Sequence, residues 1–258
     1  MKTRGAVLLA LFIFFTISIA QAEPTKLVVK VKGKGSKFVG TSVGGARVTI
    51  KDMNTGKVLS EGITEGSTGN TDLIMRTPRL EGEPISDSTA ARFSTTLDIA
   101  EPLFVEISAS GPLAYPDSLQ RIFITQWILP GKDITENDGL VLELPGLIVD
   151  IIDMPQTVHL SDIKDSVAVS VQVGVSMICG CPLVPGGIWD AHHYTMKAMI
   201  RQNGNVLHEI PLSYEGKPGF FSVPLKIDRA GTYRLAVYAF DPRNGNAGID
   251  SIDLEVKE

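Results

Sequence analysis

The sequence is short of what most specialised protein classes require. Two cysteines in 258 residues are too few for a disulfide scaffold. There is no excess of positive charge, because 24 Lys and Arg stand against 29 Asp and Glu for a net charge of −5. Phosphate neutralisation needs clustered cations, so nucleic acid is not an expected partner. Familiar catalytic signatures are missing too. The chain has no Walker loop, no Gly-x-Ser-x-Gly elbow and no His-Glu-x-x-His helix. What remains is ordinary globular material, 43% hydrophobic and 21% charged with 25 Gly and 15 Pro. That composition excludes a disordered, collagen-like or multi-span membrane chain. At roughly 100 to 200 residues per domain, the length fits one large domain or two small ones.

The one long apolar run is N-terminal. Lys2 and Arg4 precede an apolar stretch from Ala6 to Ala20, interrupted only by Thr16 and Ser18, and Ala20-Gln21-Ala22 supplies small residues for a signal peptidase. The pattern predicts a cleaved signal peptide over residues 1–22, with Glu23 as the first mature residue. The run is shorter than the roughly 18 apolar residues that span a bilayer, and no stop-transfer flank follows it. Stable membrane insertion after cleavage is therefore not expected. Cleavage removes two cations and no acids, leaving a more acidic protein exported to the periplasm of a Gram-negative host or to the medium.

Beyond residue 22 the sequence alternates with period two between clusters of turn residues. Val29-Lys30-Val31-Lys32, Val48-Thr49-Ile50-Lys51 and Val105-Glu106-Ile107-Ser108 each read as a strand with one buried face. Many short strands predict an all-β chain of two tandem β-sandwich domains. Gly44 to Ile50, Asn54 to Leu59 and the Gly- and Thr-rich stretch from Gly62 to Thr71 read as strand, tight turn, strand and loop. This stretch resembles the opening hairpins of transthyretin-like and carboxypeptidase-regulatory-like sandwiches. One transthyretin branch hydrolyses 5-hydroxyisourate with an early His and Arg and a Tyr-Arg-Gly-Ser ending. Here no His stands between residue 22 and His159, and the chain ends Leu254-Glu255-Val256-Lys257-Glu258, so the resemblance does not extend to that activity.

Pro145-Gly146 closes the strand Leu140 to Leu144, and a new strand begins at Leu147 and runs to Ile152, limited by Pro155. The expected division is a first sandwich over 23–146 and a second over 147–258. In the second, Val167 to Val173, Tyr194 to Arg201, Phe220 to Ile227, Gly231 to Phe240 and Ile249 to Val256 read as strands. Pro224 marks the third of these as edge-like. The strand order resembles bacterial immunoglobulin-like domains, which implies a fold and no particular activity.

One constellation carries chemistry. Both cysteines lie in Cys179-Gly180-Cys181-Pro182, and Trp189-Asp190-Ala191-His192-His193 follows before the next strand. Thiolate and imidazole suit zinc or copper. If the strand carrying Val171 and Val173 stays regular, Val175, Met177, Cys179 and Cys181 continue its apolar face. If the strand through Tyr194, Met196 and Ala198 extends backwards, His192 points inward and His193 outward. The candidate metal ligands are therefore Cys179, Cys181 and His192, with Asp190, Met177 or water completing the set. Two other readings stay open: a small, bent Cys-x-Cys disulfide, and inert packing of both thiols. In immunoglobulin-like sandwiches the loop of the last hairpin meets this end, which would bring Asp241 to Asn246 alongside. Asn244-Gly245 reads first as turn chemistry.

His159 and His208 read as ordinary surface or strand-edge residues. Asp150, Asp153, Asp162 and Asp165 read as solvated flanks of strands. Trp127 and Trp189 read as packing groups, with stacking on a sugar as the alternative. The leading functional expectation is an exported, non-enzymatic binding or assembly protein with a Cys/His site for copper or zinc. The alternative is an exported thiol-disulfide redox protein or copper-dependent enzyme.

Overall fold

Alternating sequence becomes alternating burial in strands such as Arg47–Asp52 and Gln120–Ile128. In a computed structural model of the chain, residues 21–78, 80, 82–154, 156–159 and 169–258 are described. The expected signal peptide, Pro155, Asp162, Asp165 and Val167 fall outside the described residues, apart from Gln21 and Ala22. The first half forms β1 (Glu23–Gly33), β2 (Arg47–Asp52), β3 (Val58–Ile63), β4 (Phe93–Ile99), β5 (Leu103–Gly111), β6 (Gln120–Ile128) and β7 (Leu140–Leu144). They make two sheets, β4-β1-β7 and β3-β2-β5-β6. Leu27, Val29, Val31, Val48, Ile50, Val105 and Ile107 are fully buried between them. The β2–β3 turn forms as its composition demands. Asp52 accepts from the Asn54 amide at 2.8 Å and the Thr55 hydroxyl at 2.7 Å, and Gly56 supplies φ 74°.

A short helix, α1 (Thr71–Met75), begins where the expected Gly62–Thr71 loop ends. Asn70 caps it, its side-chain oxygen accepting from the Asp72 and Leu73 amides, and Ile74 tucks against Phe38 and Ile85 in a small satellite core.

The second half forms β8 (Leu147–Asp153), β9 (Thr157–His159), β10 (Val169–Met177), β11 (Thr195–Gln202), β12 (Asn205–Pro211), β13 (Ser213–Tyr214), β14 (Phe220–Leu225), β15 (Gly231–Phe240) and β16 (Ala247–Lys257). Its sheets are β13-β14-β10-β8 and β12-β11-β15-β16-β9. The protein is thus all-β, two sandwiches in tandem. Pro224 is tolerated because β13 pairs only with Phe221 and Ser222, so among the described residues the missing amide donor faces no strand partner on that side.

The two cores touch through alternation along a shared seam. Leu147, Val149, Met177 and Cys179 belong to the second core, while their chain neighbours Ile148 and Ile178 are buried in the first. Two short stretches, 147–149 and 177–179, therefore serve both sandwiches. Gly33 makes the close approach possible, since a Cβ there would sit 2.4 Å from Cγ2 of Ile178.

Candidate functional site

β10 ends at Met177, and a tight turn carries Ile178, Cys179 and Gly180. The Gly180 amide donates to the Met177 carbonyl at 2.7 Å and the Met177 amide to the Cys181 carbonyl at 2.8 Å. Gly180 adopts φ 80°, and a Cβ there would lie 2.5 Å from Cγ1 of Val43. The turn is thus pressed onto the first sandwich. Both sulfurs are buried in the second core with Val173, Val175 and Met177, but the turn and not a regular strand puts them there, because β10 stops two residues before Cys179; both are free thiols.

Their neighbours come from the first sandwich. The turn after β1 brings Ser36 and Lys37 to the thiols. Cys179 is 1% exposed and Cys181 7%. Burial pushes the Cys179 thiol up, but hydrogen bonding from the Cys181 thiol and the Lys37 amide, with the Ser36 hydroxyl close by, outweighs burial and brings it below the ordinary range. Cys181 moves the opposite way, because it donates to Cys179, is itself buried and faces the charge that develops there. Ser36 is fully buried and its hydroxyl has no partner at hydrogen-bonding geometry.

The imidazoles lie elsewhere. β11 starts at Thr195 and does not extend backwards, because residues Ala191–His193 form a 3-10 turn capped by Asp190. The Asp190 carboxylate accepts from the Gly186 amide at 2.9 Å, the His192 amide at 3.1 Å and lies 2.8 Å from Nδ1 of His192. Those bonds, the Gly186 amide first, pull its pKa down to about 2. The turn breaks the period-two parity that pointed His192 inward, and its side chain is 74% exposed. His193 is exposed as well, with Nδ1 3.1 Å from a terminal guanidinium nitrogen of Arg243. The expected set of Cys179, Cys181, His192 and Asp190 is therefore split into a buried thiol pair and a surface carboxylate–imidazole pair. Among the described residues no group of three or more His, Cys, Asp and Glu side chains is placed to hold a metal ion.

The loop of the last hairpin does meet this end of the sandwich. Asp241 is buried and accepts from the Arg243 amide and guanidinium at 2.8–3.0 Å and from the Asn244 side chain at 3.0 Å. Burial would raise its pKa, but the Arg243 bonds and charge lower it. Arg243 also lies over the Tyr194 ring, 5.1 Å from its centroid. The loop then reaches across the seam. The Asn246 side chain donates to the Lys34 carbonyl at 2.9 Å, Lys34 Nζ donates to the Asn244 carbonyl at 2.8 Å, and the Gly146 amide donates to the Asn246 side chain at 3.2 Å. Trp189 Nε1 completes the clamp, donating to the Gly35 carbonyl at 3.0 Å. Asn244-Gly245 is turn chemistry with an added structural duty at the seam.

Other expectations resolve simply. His159 and His208 are exposed. Asp150 is half-buried, and burial, with Asp250 and Asp117 nearby, raises its pKa. Trp189 packs as expected, whereas Trp127 is 56% exposed. The reason is parity: Ile122, Ile124 and Ile128 of β6 face the core, which turns Phe123 and Trp127 outward.

No protein-family profile and no curated protein matches the chain. Among solved structures it is similar to fibronectin(III)-like modules of CbhA from Clostridium thermocellum, at 11% identity over 93% of this chain and 92% of that one, with a TM-score of 0.27. It is also similar to the chicken interferon gamma receptor alpha chain, at 11% identity over 93% and 100% of the two chains, with a TM-score of 0.30. Superpositions this loose carry nothing about activity, and the two-sandwich architecture rests on the sheets and cores themselves.

Proposed function

We propose that this chain is an exported, non-enzymatic binding or assembly protein whose two sandwiches act as one rigid body. The burial of the thiol pair in the seam carries this reading. A redox thiol must be reached by a substrate or a partner thiol, and at 1% and 7% exposure Cys179 and Cys181 are closed to both. The most reactive groups of the molecule are thus placed where they pack, while the hydrogen bonds around them hold one domain against the other. Kinship of the first sandwich with transthyretin-like domains would fit such a role, and it rests on the hairpin grammar of residues 44–71.

A second reading is favoured by one observation, two free thiols buried together in a single turn. Zinc takes four ligands, which the described residues do not supply there. Copper(I), a softer ion, suits Cys179 and Cys181 with the Met177 thioether, which lies in the same core.

Both readings are tested on purified native protein by thiol alkylation with a bulky maleimide, read by intact mass, together with elemental analysis. The structural reading expects neither thiol to react until the protein is unfolded, and no stoichiometric metal. Rapid native alkylation, or turnover with a thiol donor, would overturn it. Stoichiometric copper that disappears in the Cys179→Ser/Cys181→Ser variant would establish the second reading instead. Export is checked by fractionating cells and sequencing the mature N-terminus, expected at Glu23.

A further inference from the structure

The outer face of the β3-β2-β5-β6 sheet is laid out in rows by its register. In the first row Phe104 of β5 lies opposite Trp127 of β6. The second row holds Val58, Lys51, Glu106 and Thr125, the third Glu61, Thr49, Ser108 and Phe123, and the fourth Ile63, Arg47, Ser110 and Arg121. Aromatic rings and hydrogen-bonding groups therefore alternate along β6. Phe123 and Trp127 are 57% and 56% exposed, and four residues of extended strand separate them by about 13 Å. Trp127 is not loose, since its ring leans on Phe104 with centroids 5.1 Å apart and planes at 40°. A fixed, solvent-facing indole is a pre-formed stacking surface.

The charges around these rings select against a charged partner. Arg47 pairs with Glu61 at 2.8 Å and Arg121 with Glu106 at 3.4 Å, so the face largely neutralises itself. An acidic polymer finds no run of free cations here. A partner protein would be served best by a contiguous apolar patch, whereas here Lys51, Thr49, Glu106 and Ser110 separate the exposed Val58 and Ile63 of β3 from the rings of β6. Alternating apolar and hydroxyl-compatible rows match a pyranose chain, whose C–H faces stack on aromatic rings while its hydroxyl rim bonds to Arg, Glu and Thr side chains.

We infer that this face, with Trp127 and Phe123 as stacking platforms and Thr125, Glu106 and Arg121 as hydroxyl partners, binds an extended neutral polysaccharide. The inference deepens the binding reading by naming a ligand class, and it stands apart from the state of the thiols.

Trp127 makes its own probe, because Trp189 is buried in the seam and only Trp127 is open to solvent. The full native chain is run by affinity gel electrophoresis through hydroxyethyl cellulose, galactomannan, arabinoxylan and soluble starch. Its tryptophan emission is then titrated with each polymer in the presence of acrylamide. At least one polymer is expected to retard the protein and shield Trp127 from quenching, with little dependence on salt. Trp127→Ala should weaken binding by about tenfold or more and Phe123→Ala by a few-fold, with thermal midpoints unchanged. Equal migration of the wild-type and Trp127→Ala proteins in all four polymers would overturn the inference. So would shielding of Trp127 that rises with protein concentration alone, which would make the face a contact between copies. Either failure leaves the alkylation result, and the rigid binding module it tests, untouched.

Discussion

The two tryptophans mark two regions built from the same kind of strand and put to opposite uses. Trp189 is buried in the seam, with its indole N–H spent on the Gly35 carbonyl of the other sandwich. Trp127 stands on an open sheet face with its ring held by Phe104 and its N–H free of any hydrogen bond among the described residues. In the seam the Asn246 side chain, the Lys34 ammonium and the Trp189 indole each find a partner across the domains, whereas Ser36 is, among the described residues, the one buried side-chain atom without a hydrogen-bond partner. On the open face the side chains are arranged for something outside the molecule. Large aromatic groups alone do not distinguish packing from binding; the hydrogen bonds and neighbours around them do.

That contrast breaks most severely at Ile178. Truncation by Ile178→Ala empties a fully buried position in the first core from a residue of the second sandwich, and urea denaturation should show a loss of about 4 kcal/mol. Asp241→Ala comes next. It strips the half-exposed Arg243 and the Asn244 side chain of their buried acceptor and should cost about 2 kcal/mol at neutral pH. The sign with pH follows from the lowered pKa of Asp241. Its contribution is present above the ordinary carboxylate value of about 4 and is lost as pH falls through the depressed folded value. The difference between wild type and variant should therefore shrink in acid, which denaturation at a series of pH values will check.

Trp189→Phe keeps the packing and removes the N–H, leaving the Gly35 carbonyl unpaired. A loss of about 2 kcal/mol is expected, together with faster native alkylation of Cys179 as the seam loosens. Trp127→Ala, on the open face, should change stability by no more than about 0.5 kcal/mol; a loss comparable to that at Trp189 would erase the distinction between the regions. Smallest of all is Asp150→Asn. The raised pKa of Asp150 means that its charge is disfavoured in the folded state by burial and by Asp250 and Asp117. Removing the charge should raise the melting temperature slightly at neutral pH, and the gain should vanish in acid where the carboxyl is already protonated.

Much of this was legible in the residues. The strands around Val29 to Lys32, Val48 to Lys51 and Val105 to Ser108 form where alternation put them, because strand parity is a local property. The burial of Cys179 and Cys181 does not follow from that rule, because the strand ends at Met177 and a tight turn carries the thiols into the core. His192 departs from it because Asp190 finds amide donors at Gly186 and His192 and winds a 3-10 turn, an option that short polar side chains hold in competition with the sheet. Helix α1 was hidden among Gly and Thr, although Asn70 ahead of Thr71-Asp72 is the kind of cap that could have disclosed it. The exposure of Trp127 was also available, in the isoleucines at 122, 124 and 128 that claim the opposite face.

By itself the sequence determined the class of the protein, an all-β chain of two sandwiches, because side-chain alternation and turn residues act over a few neighbours. Only the tertiary structure decided where the thiols reside and what surrounds them. Ser36 and Lys37 lie more than a hundred residues before Cys179 in the chain, and no local rule brings them together. Their meeting depends on the packing of one whole sandwich against another, through Ile178, Trp189 and Asn246, and that free energy exists only when both cores have formed.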